Sequence, residues 1–266
     1  MLKYFSDFFN NSFTYFLTKI LTFGGNIPQH IAVIMDGNRR FAKKHHLKEG
    51  HSDGSITLMN LLKWSIDLNI KEVTVFAFSI DNFNRSQDEK DLLLNLFKKN
   101  FKKYSVGEES KKLGIKICIY GNKTYFDEET QKSIEIIEDS TKNNNKLKLN
   151  ICIAYNSTEE IYQAKCKISD INNKDIISEF ESNLYGGYNL KPELLIRTSG
   201  ETRLSNFLLY QCRFSIIIII EKYWPELTFF DYFLILVRYS NNYANHIKLI
   251  YQIEKINKCN ILSKDN

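Results

Sequence analysis

An aspartate, a glycine and two arginines fall together at Asp36-Gly37-Asn38-Arg39-Arg40, directly behind the apolar run Ile31-Ala32-Val33-Ile34. A strand that ends there and a helix that opens there would present a carboxylate, free backbone N–H groups and guanidinium forks at one point. The donors and positive dipole of a helix start favour a phosphate. Arginine engages phosphate oxygens in pairs, and a lone aspartate among bound phosphates is placed to share a divalent metal. The combination reads as a metal–diphosphate site. An ordinary strand–helix turn with a solvated basic face fits the same residues, so the rest of the chain has to decide.

Two further blocks repeat the chemistry. Ser79, Asn82 and Arg85 follow the apolar run Thr74–Phe78, and Arg197 and Arg203, with Ser205 among several hydroxyls, follow Leu194–Ile196. The elements that must position them alternate along the chain. Apolar strands are expected near 31–35, 73–79, 115–120, 149–154, 194–197 and 215–220, with helical patterns at 54–68, 88–104, 128–140 and 158–167. That alternation predicts a single α/β domain, a mostly parallel central sheet flanked by helices. The β-branched run Ile216–Ile220 reads as a central buried strand. Ligands of open parallel sheets bind beyond the carboxyl ends of the strands. Asp36, Ser79 and Arg197 each follow a strand, so one shared pocket is expected on that edge.

Composition sets outer bounds. The 266 residues suffice for one large core, and no linker or repeat divides them. The net charge of +5 is too small to imply nucleic acid, no reader motif is present, and no nucleic-acid partner is expected. Lys43 and Lys44 read as a solvated helix face. Cys118, Cys152, Cys166, Cys212 and Cys259 are odd in number and match no zinc spacing, which suggests buried free thiols in a reducing compartment. The aromatic-rich stretch from Phe5 to Phe23 is too polar for a convincing membrane span and lacks the marks of a signal peptide. It fits an amphipathic helix on a membrane, one over the mouth of a lipid tunnel, or a terminal helix packed on the core.

Four blocks, around Asp36, around Ser79–Arg85, at Arg197–Leu209 and at Lys222–Phe230, together resemble the signature blocks of the cis-prenyltransferases, the undecaprenyl and dehydrodolichyl diphosphate synthases. The resemblance runs from about residue 28 to 238. It implies repeated condensation of isopentenyl diphosphate onto an allylic diphosphate such as farnesyl diphosphate, with Mg²⁺, to make a long-chain polyprenyl diphosphate for dolichol-type carriers. It also implies an apolar tunnel for the growing chain. Position by position, Asp36 matches the metal and diphosphate aspartate. Gly37, Asn38 and Arg40, with Arg39 beside them, match the allylic-diphosphate cradle, and His51 matches the histidine near the phosphates. Ser79 and Asn82 match residues linked to proton removal, with Arg85 beside them, while Arg197, Arg203 and Ser205 match the isopentenyl diphosphate clamp. Arg40, Arg85, Arg197 and Arg203, with Mg²⁺, would balance the charge of two diphosphates.

Departures from the bacterial pattern point to the eukaryotic dehydrodolichyl-type catalytic subunit. Ile216 stands where bacterial members carry a further glutamate, and Arg39 where they carry glycine. The interval from Arg40 to His51 is shorter than usual and lacks an arginine; Lys48 is a nearby cation without the fork. Ser86 replaces a proline, and the tail from Ile247 contains no arginine for the Arg-x-Gly ending of single-subunit members. The resemblance therefore implies a dimer with a non-catalytic subunit resembling the Nogo-B receptor, and peripheral contact with the cytosolic face of the endoplasmic reticulum membrane, an organellar or cytosolic pool being the alternatives. A role for this chain as the non-catalytic partner is the alternative. The expected organisation is an N-terminal helix over 1–25, a catalytic domain over 26–245 and a tail over 246–266.

Overall fold

A computed structural model describes residues 16–47, 50–84, 113–169, 175–187 and 190–262. All five residues of strand β1 (His30–Ile34) are buried, which requires cover on both faces, the situation of a parallel sheet wrapped by helices. β1 pairs in parallel with β2 (Glu72–Ser79) on one side and β5 (Leu194–Arg197) on the other. β4 (Leu147–Tyr155) and then β3 (Ile115–Tyr120) extend the sheet beyond β2, and β6 (Ile216–Ile219) extends it beyond β5. The six expected strands are all present, in the order β3-β4-β2-β1-β5-β6. The chain leaves β1 toward β2 and later returns to the other flank as β5. The carboxyl ends of β1 and β5 therefore form the topological switch point, where such sheets bind ligands.

One strand differs from expectation. Ile216–Ile220 is not central: among the described residues β6 pairs with β5 alone and forms the sheet edge, where Ile217 is 47% exposed and Ile218 is buried. β-branched residues favour a strand wherever it lies in the sheet, and the order of crossovers decides which strand is last.

Among the described residues the helices are α1 (16–24), α2 (Asn38–Lys44), α3 (His51–Asp67), α4 (Glu128–Thr141), α5 (Ser157–Cys166), α6 (Ile176–Asn183) and α7 (Phe229–Leu262). Three of these starts are written in the sequence. Asp127 caps α4 by accepting from the Thr130 N–H at 2.8 Å, and Asn156 caps α5 by accepting from that of Glu159 at 2.8 Å. Thr228 and Asp231 bond reciprocally at the start of α7. Along α7 the residues Tyr232, Ile235, Leu236 and Tyr239 are buried at helical spacing. They join Leu61, Leu62 and Trp224 against Ile31, Val33, Val73, Val75, Leu194 and Ile196 on one face of the sheet. Ala32, Ile34, Cys152, Tyr155 and Leu195 line the other face under Phe207 and Leu208. Burying one such large side chain is worth about 1.5–3 kcal/mol, so these two layers hold the strand ends in place.

The expected helix over 88–104 lies outside the described residues. Among the described cysteines, Cys152 and Cys212 are buried, Cys118 is half-buried and Cys166 is exposed, all as free thiols. No described helix is long and apolar enough to cross a membrane.

A polar cluster lies toward the amino ends of the strands. His30 Nε2 meets Thr74 Oγ1 at 2.7 Å, while Asn150 and Lys148 donate to Glu72 at 2.6 and 2.9 Å. Burial, opposed by Glu72 and aided by Lys148, lowers the His30 pKa from 6.5 to about 4. Between those values the unfolded chain binds a proton that the native protein refuses, so stability falls as pH drops through that window, by about 3 kcal/mol. Urea unfolding at pH 7 and pH 4.5 is expected to show this slope in the natural chain and its loss in His30→Gln. An unchanged slope in the variant would assign it to other groups.

Candidate active site

Asp36 sits just past β1 on a backbone fixed from two sides. Thr198 Oγ1 donates to the Asp36 carbonyl at 2.7 Å and accepts from its N–H at 2.9 Å, and the Trp224 N–H donates to the same carbonyl at 2.9 Å. The side chain is thereby aimed across the switch point. Its Oδ2 accepts from Arg197 Nη2 at 2.8 Å, and its Oδ1 lies 3.4 Å from Arg40 Nη2. Partial burial opposes ionisation. The hydrogen bond and charge of Arg197, then Arg40 and the Gly37 N–H, outweigh it and hold the carboxyl below its ordinary 3.8. Asp36 is therefore an anion throughout the neutral range.

Arg197 ends β5 and is 3% exposed. Its Nη1 donates to the Arg203 carbonyl and, at 3.0 Å, to Ser205 Oγ. One guanidinium thus ties the β1–α2 junction to the loop after β5. Glu201 forms a second bridge: it accepts from Arg40 at 2.9 Å and from Arg203, and lies below its ordinary pKa chiefly through the Arg203 bond. A carboxylate here occupies donors that a phosphate would use. Arg40 also lies over the Tyr223 ring, 5.6 Å from its centroid.

Gly37 is required by geometry. Its φ is 101°, and a Cβ there would lie 2.2 Å from Ser199 Oγ and 2.8 Å from the Tyr223 ring. No side chain caps the first turn of α2. Asn38 Oδ1, Arg197 Nε and Ser199 Oγ are buried here without a hydrogen-bond partner, an uncommon concentration of unused capacity.

The other expected residues fall as follows. Ser79 closes β2, next to β1, with its N–H donating to Asn82 Oδ1 at 3.2 Å and its Oγ accepting from the Asp81 N–H at 3.1 Å. Ser79 and Asn82 therefore shape one turn on the same sheet edge as Asp36. Arg39 is exposed on α2, and His51 begins α3. The His51 side chain and Arg85 lie outside the described residues. Asp36, Arg40, Arg197, Arg203 and Ser205 come together as expected. Glu201, Thr198 and Tyr223 were missed. A carboxylate between Arg197 and Arg203 in sequence was a visible cue for the first, whereas the other two act through backbone and ring contacts that no local pattern announces.

The donor set suits a cation shared with substrate. Among the described residues no group of three His, Cys, Asp or Glu side chains could enclose a metal ion. Mg²⁺ commonly takes one or two carboxylates plus phosphate oxygens and water, and Asp36, ionised and partly open, fits that use. A separate cleft beyond β3 and β4 is lined by Lys123, paired with Glu138 at 3.1 Å, by Glu159, which accepts from the Tyr185 hydroxyl at 2.8 Å, and by Lys167.

Fold and site define an α/β protein with a cluster of arginines around one aspartate at its switch point. The family model described as undecaprenyl diphosphate synthase matches residues 34–246. The tritrans,polycis-undecaprenyl-diphosphate synthase (geranylgeranyl-diphosphate specific) of Thermococcus kodakarensis is 39% identical over 228 residues, 82% of this chain and 86% of that one. The human dehydrodolichyl diphosphate synthase complex subunit DHDDS is 40% identical over 232 residues, 83% of this chain and 69% of that one. A crystal structure of lavandulyl diphosphate synthase from Lavandula x intermedia, in complex with dimethylallyl diphosphate, superposes with a TM-score of 0.72 at 28% identity, over 80% of this chain and 95% of that one. The chain belongs to the cis-prenyltransferase family of undecaprenyl diphosphate synthases. It is a prenyltransferase of the polyprenyl diphosphate synthase type.

Proposed function

We propose that this enzyme condenses isopentenyl diphosphate onto farnesyl diphosphate, with Mg²⁺, to make a polyprenyl diphosphate for dolichol-type carriers. The observation that carries this reading is the buried Arg197 fork joining Asp36 to the Arg203–Ser205 loop, because it sets two anion-binding regions side by side. Gly37, Asn38, Arg39 and Arg40, with His51, form the allylic half. Arg197, Arg203 and Ser205 form the isopentenyl half, with Ser79, Asn82 and Arg85 on the edge where a proton is lost. Asp36 would hold the Mg²⁺ together with the diphosphate, and the ion would supply positive charge to the departing pyrophosphate. Arg40 and Arg203 must exchange Glu201 for phosphate when substrates enter, so their charge becomes available as negative charge develops.

Partner and location belong to the same proposal. Phe16, Ile20 and Phe23 of α1 are exposed while Leu17 and Leu21 are buried, which supports peripheral contact with a membrane, in this proposal that of the endoplasmic reticulum. Completion of the site by a Nogo-B-receptor-like subunit in a dimer is the partner part of the proposal. The test is incorporation of labelled isopentenyl diphosphate into lipid with farnesyl diphosphate, with and without Mg²⁺, by the chain alone and with that subunit. Mg²⁺-dependent polyprenyl product, weak alone and raised by the partner, is expected. Full activity of the chain alone would remove the partner, and no product in any lane would remove the reaction.

A further inference from the structure

The loop that seats Arg197 holds an unfavourable backbone. Ser205, Asn206 and Leu208 have φ of 49°, 60° and 45°, three residues with side chains in the left-handed region within four positions. Such a loop persists only where its surroundings over-determine it. The surroundings here are the start of α5. The Ser157 N–H donates to the Asn206 carbonyl at 2.8 Å, the Thr158 N–H donates to Asn206 Oδ1 at 3.2 Å, and the Leu209 N–H donates to Ser157 Oγ at 2.8 Å. Phe207 is fully buried and stacks on Phe76 with centroids 4.6 Å apart.

Behind this contact lies Glu160, 1% exposed and absent from the ion pairs among the described residues. It accepts from the Tyr155 hydroxyl, from Gln211 Nε2 at 2.9 Å and from the Tyr185 N–H at 2.9 Å. Tyr155 in turn meets Ser157 at 3.3 Å. Three donors from three segments converge on two carboxylate oxygens. A glutamine would turn an N–H₂ toward one of those donors and leave it unmet. A buried carboxylate without a cation is costly, so its presence needs a reason.

We propose that Glu160 is a positioning residue for the second diphosphate. Through Gln211, and through Tyr155 and Ser157, it holds the 205–209 loop so that Ser205 Oγ and the Arg203 carbonyl meet Arg197. The inference rests on the reading of Arg203 and Ser205 as the isopentenyl diphosphate half. Neither Glu160 nor Gln211 is among the residues assigned to touch substrate.

The test is steady-state kinetics of the full chain, with its partner subunit where activity needs it, varying isopentenyl and farnesyl diphosphate separately. Glu160→Gln is expected to raise KM for isopentenyl diphosphate about tenfold while KM for farnesyl diphosphate stays within about twofold, as loss of one network bond would give. Ser157→Ala, a milder change, is expected to move the same constant in the same direction. In a Ser205→Ala background the effect of Glu160→Gln should shrink, the sign of a shared path. Thermal midpoints are recorded for every variant. Equal changes in both KM values, or loss of activity that only tracks loss of folded protein, would overturn the proposal and leave Glu160 a general stabiliser. If the natural chain consumes no isopentenyl diphosphate, the parent reading fails and the inference falls with it.

Discussion

Replacing Asp36 by asparagine is expected to cut prenyl transfer by roughly 10²–10³-fold, the usual cost of removing one charge-stabilising group from a transition state. Asparagine keeps the shape and one acceptor oxygen but not the charge that Asp36 carries between Arg197 and Arg40. The loss should appear in kcat/KM for both substrates, because Asp36 pairs with Arg40 of the proposed allylic half and with Arg197 of the proposed isopentenyl half. Asp36→Ala is expected to be worse in a second way: it leaves the guanidinium of Arg197, 3% exposed, without its anion. Unpairing a buried charge costs about 3–5 kcal/mol, and partial exposure of Asp36 places the expected loss toward the lower end. The pH dependence has a defined sign. The folded pKa of Asp36 is depressed, so its contribution is present above about 3.8 and disappears as pH falls through the folded value. Mg²⁺-dependent turnover from pH 6 to 8 should therefore show no acid limb from this group. Activity of Asp36→Asn within tenfold of the natural enzyme would remove Asp36 from the centre of the reaction.

The sheet and the meeting of Asp36 with Arg197 are readable because short-range rules generate them. Ile31–Ile34 and Leu194–Ile196 are apolar on every residue, as strands covered on both faces must be, and Asp36 and Arg197 stand at their ends. Their meeting follows from the rule that parallel sheets gather functional groups at the carboxyl ends of their strands. What escaped depends on long-range placement. The isoleucine run at 216–219 announces a strand but cannot say that β5 already fills the inner place, so its edge position was invisible. The long helix α7 is not announced by the sequence although Tyr232, Ile235, Leu236 and Tyr239 carry the right spacing, because aromatic residues around them blur the period. Glu201 shows another limit. In sequence it is one charge among several, and only the fold brings Arg40 to it from 161 positions away.

Arg197→Lys is the second large effect, and it separates charge from geometry. The guanidinium reaches Asp36 with one nitrogen and the Arg203 carbonyl and Ser205 with another, so its planar fork spans two elements at once. Lysine supplies the charge as a single point on a flexible stem and cannot reach both sides together. The expected result is a fall in kcat/KM for isopentenyl diphosphate of about 10–100-fold, worth about 1.4–2.7 kcal/mol, with the chain still folded. Arg197→Met should behave differently. It removes the charge from a buried seat, leaves Asp36 without its strongest partner, and raises the carboxyl's pKa because the first opposing influence, burial, is then less well balanced. A stability loss of about 3 kcal/mol is expected, a large share of the 5–15 kcal/mol that holds a typical domain together. Urea unfolding and steady-state kinetics on the two variants together decide the point. If lysine retained near-natural kinetics for both substrates, charge alone would suffice, and the coupling of the Asp36 turn to the 203–205 loop through one rigid fork would have no catalytic consequence.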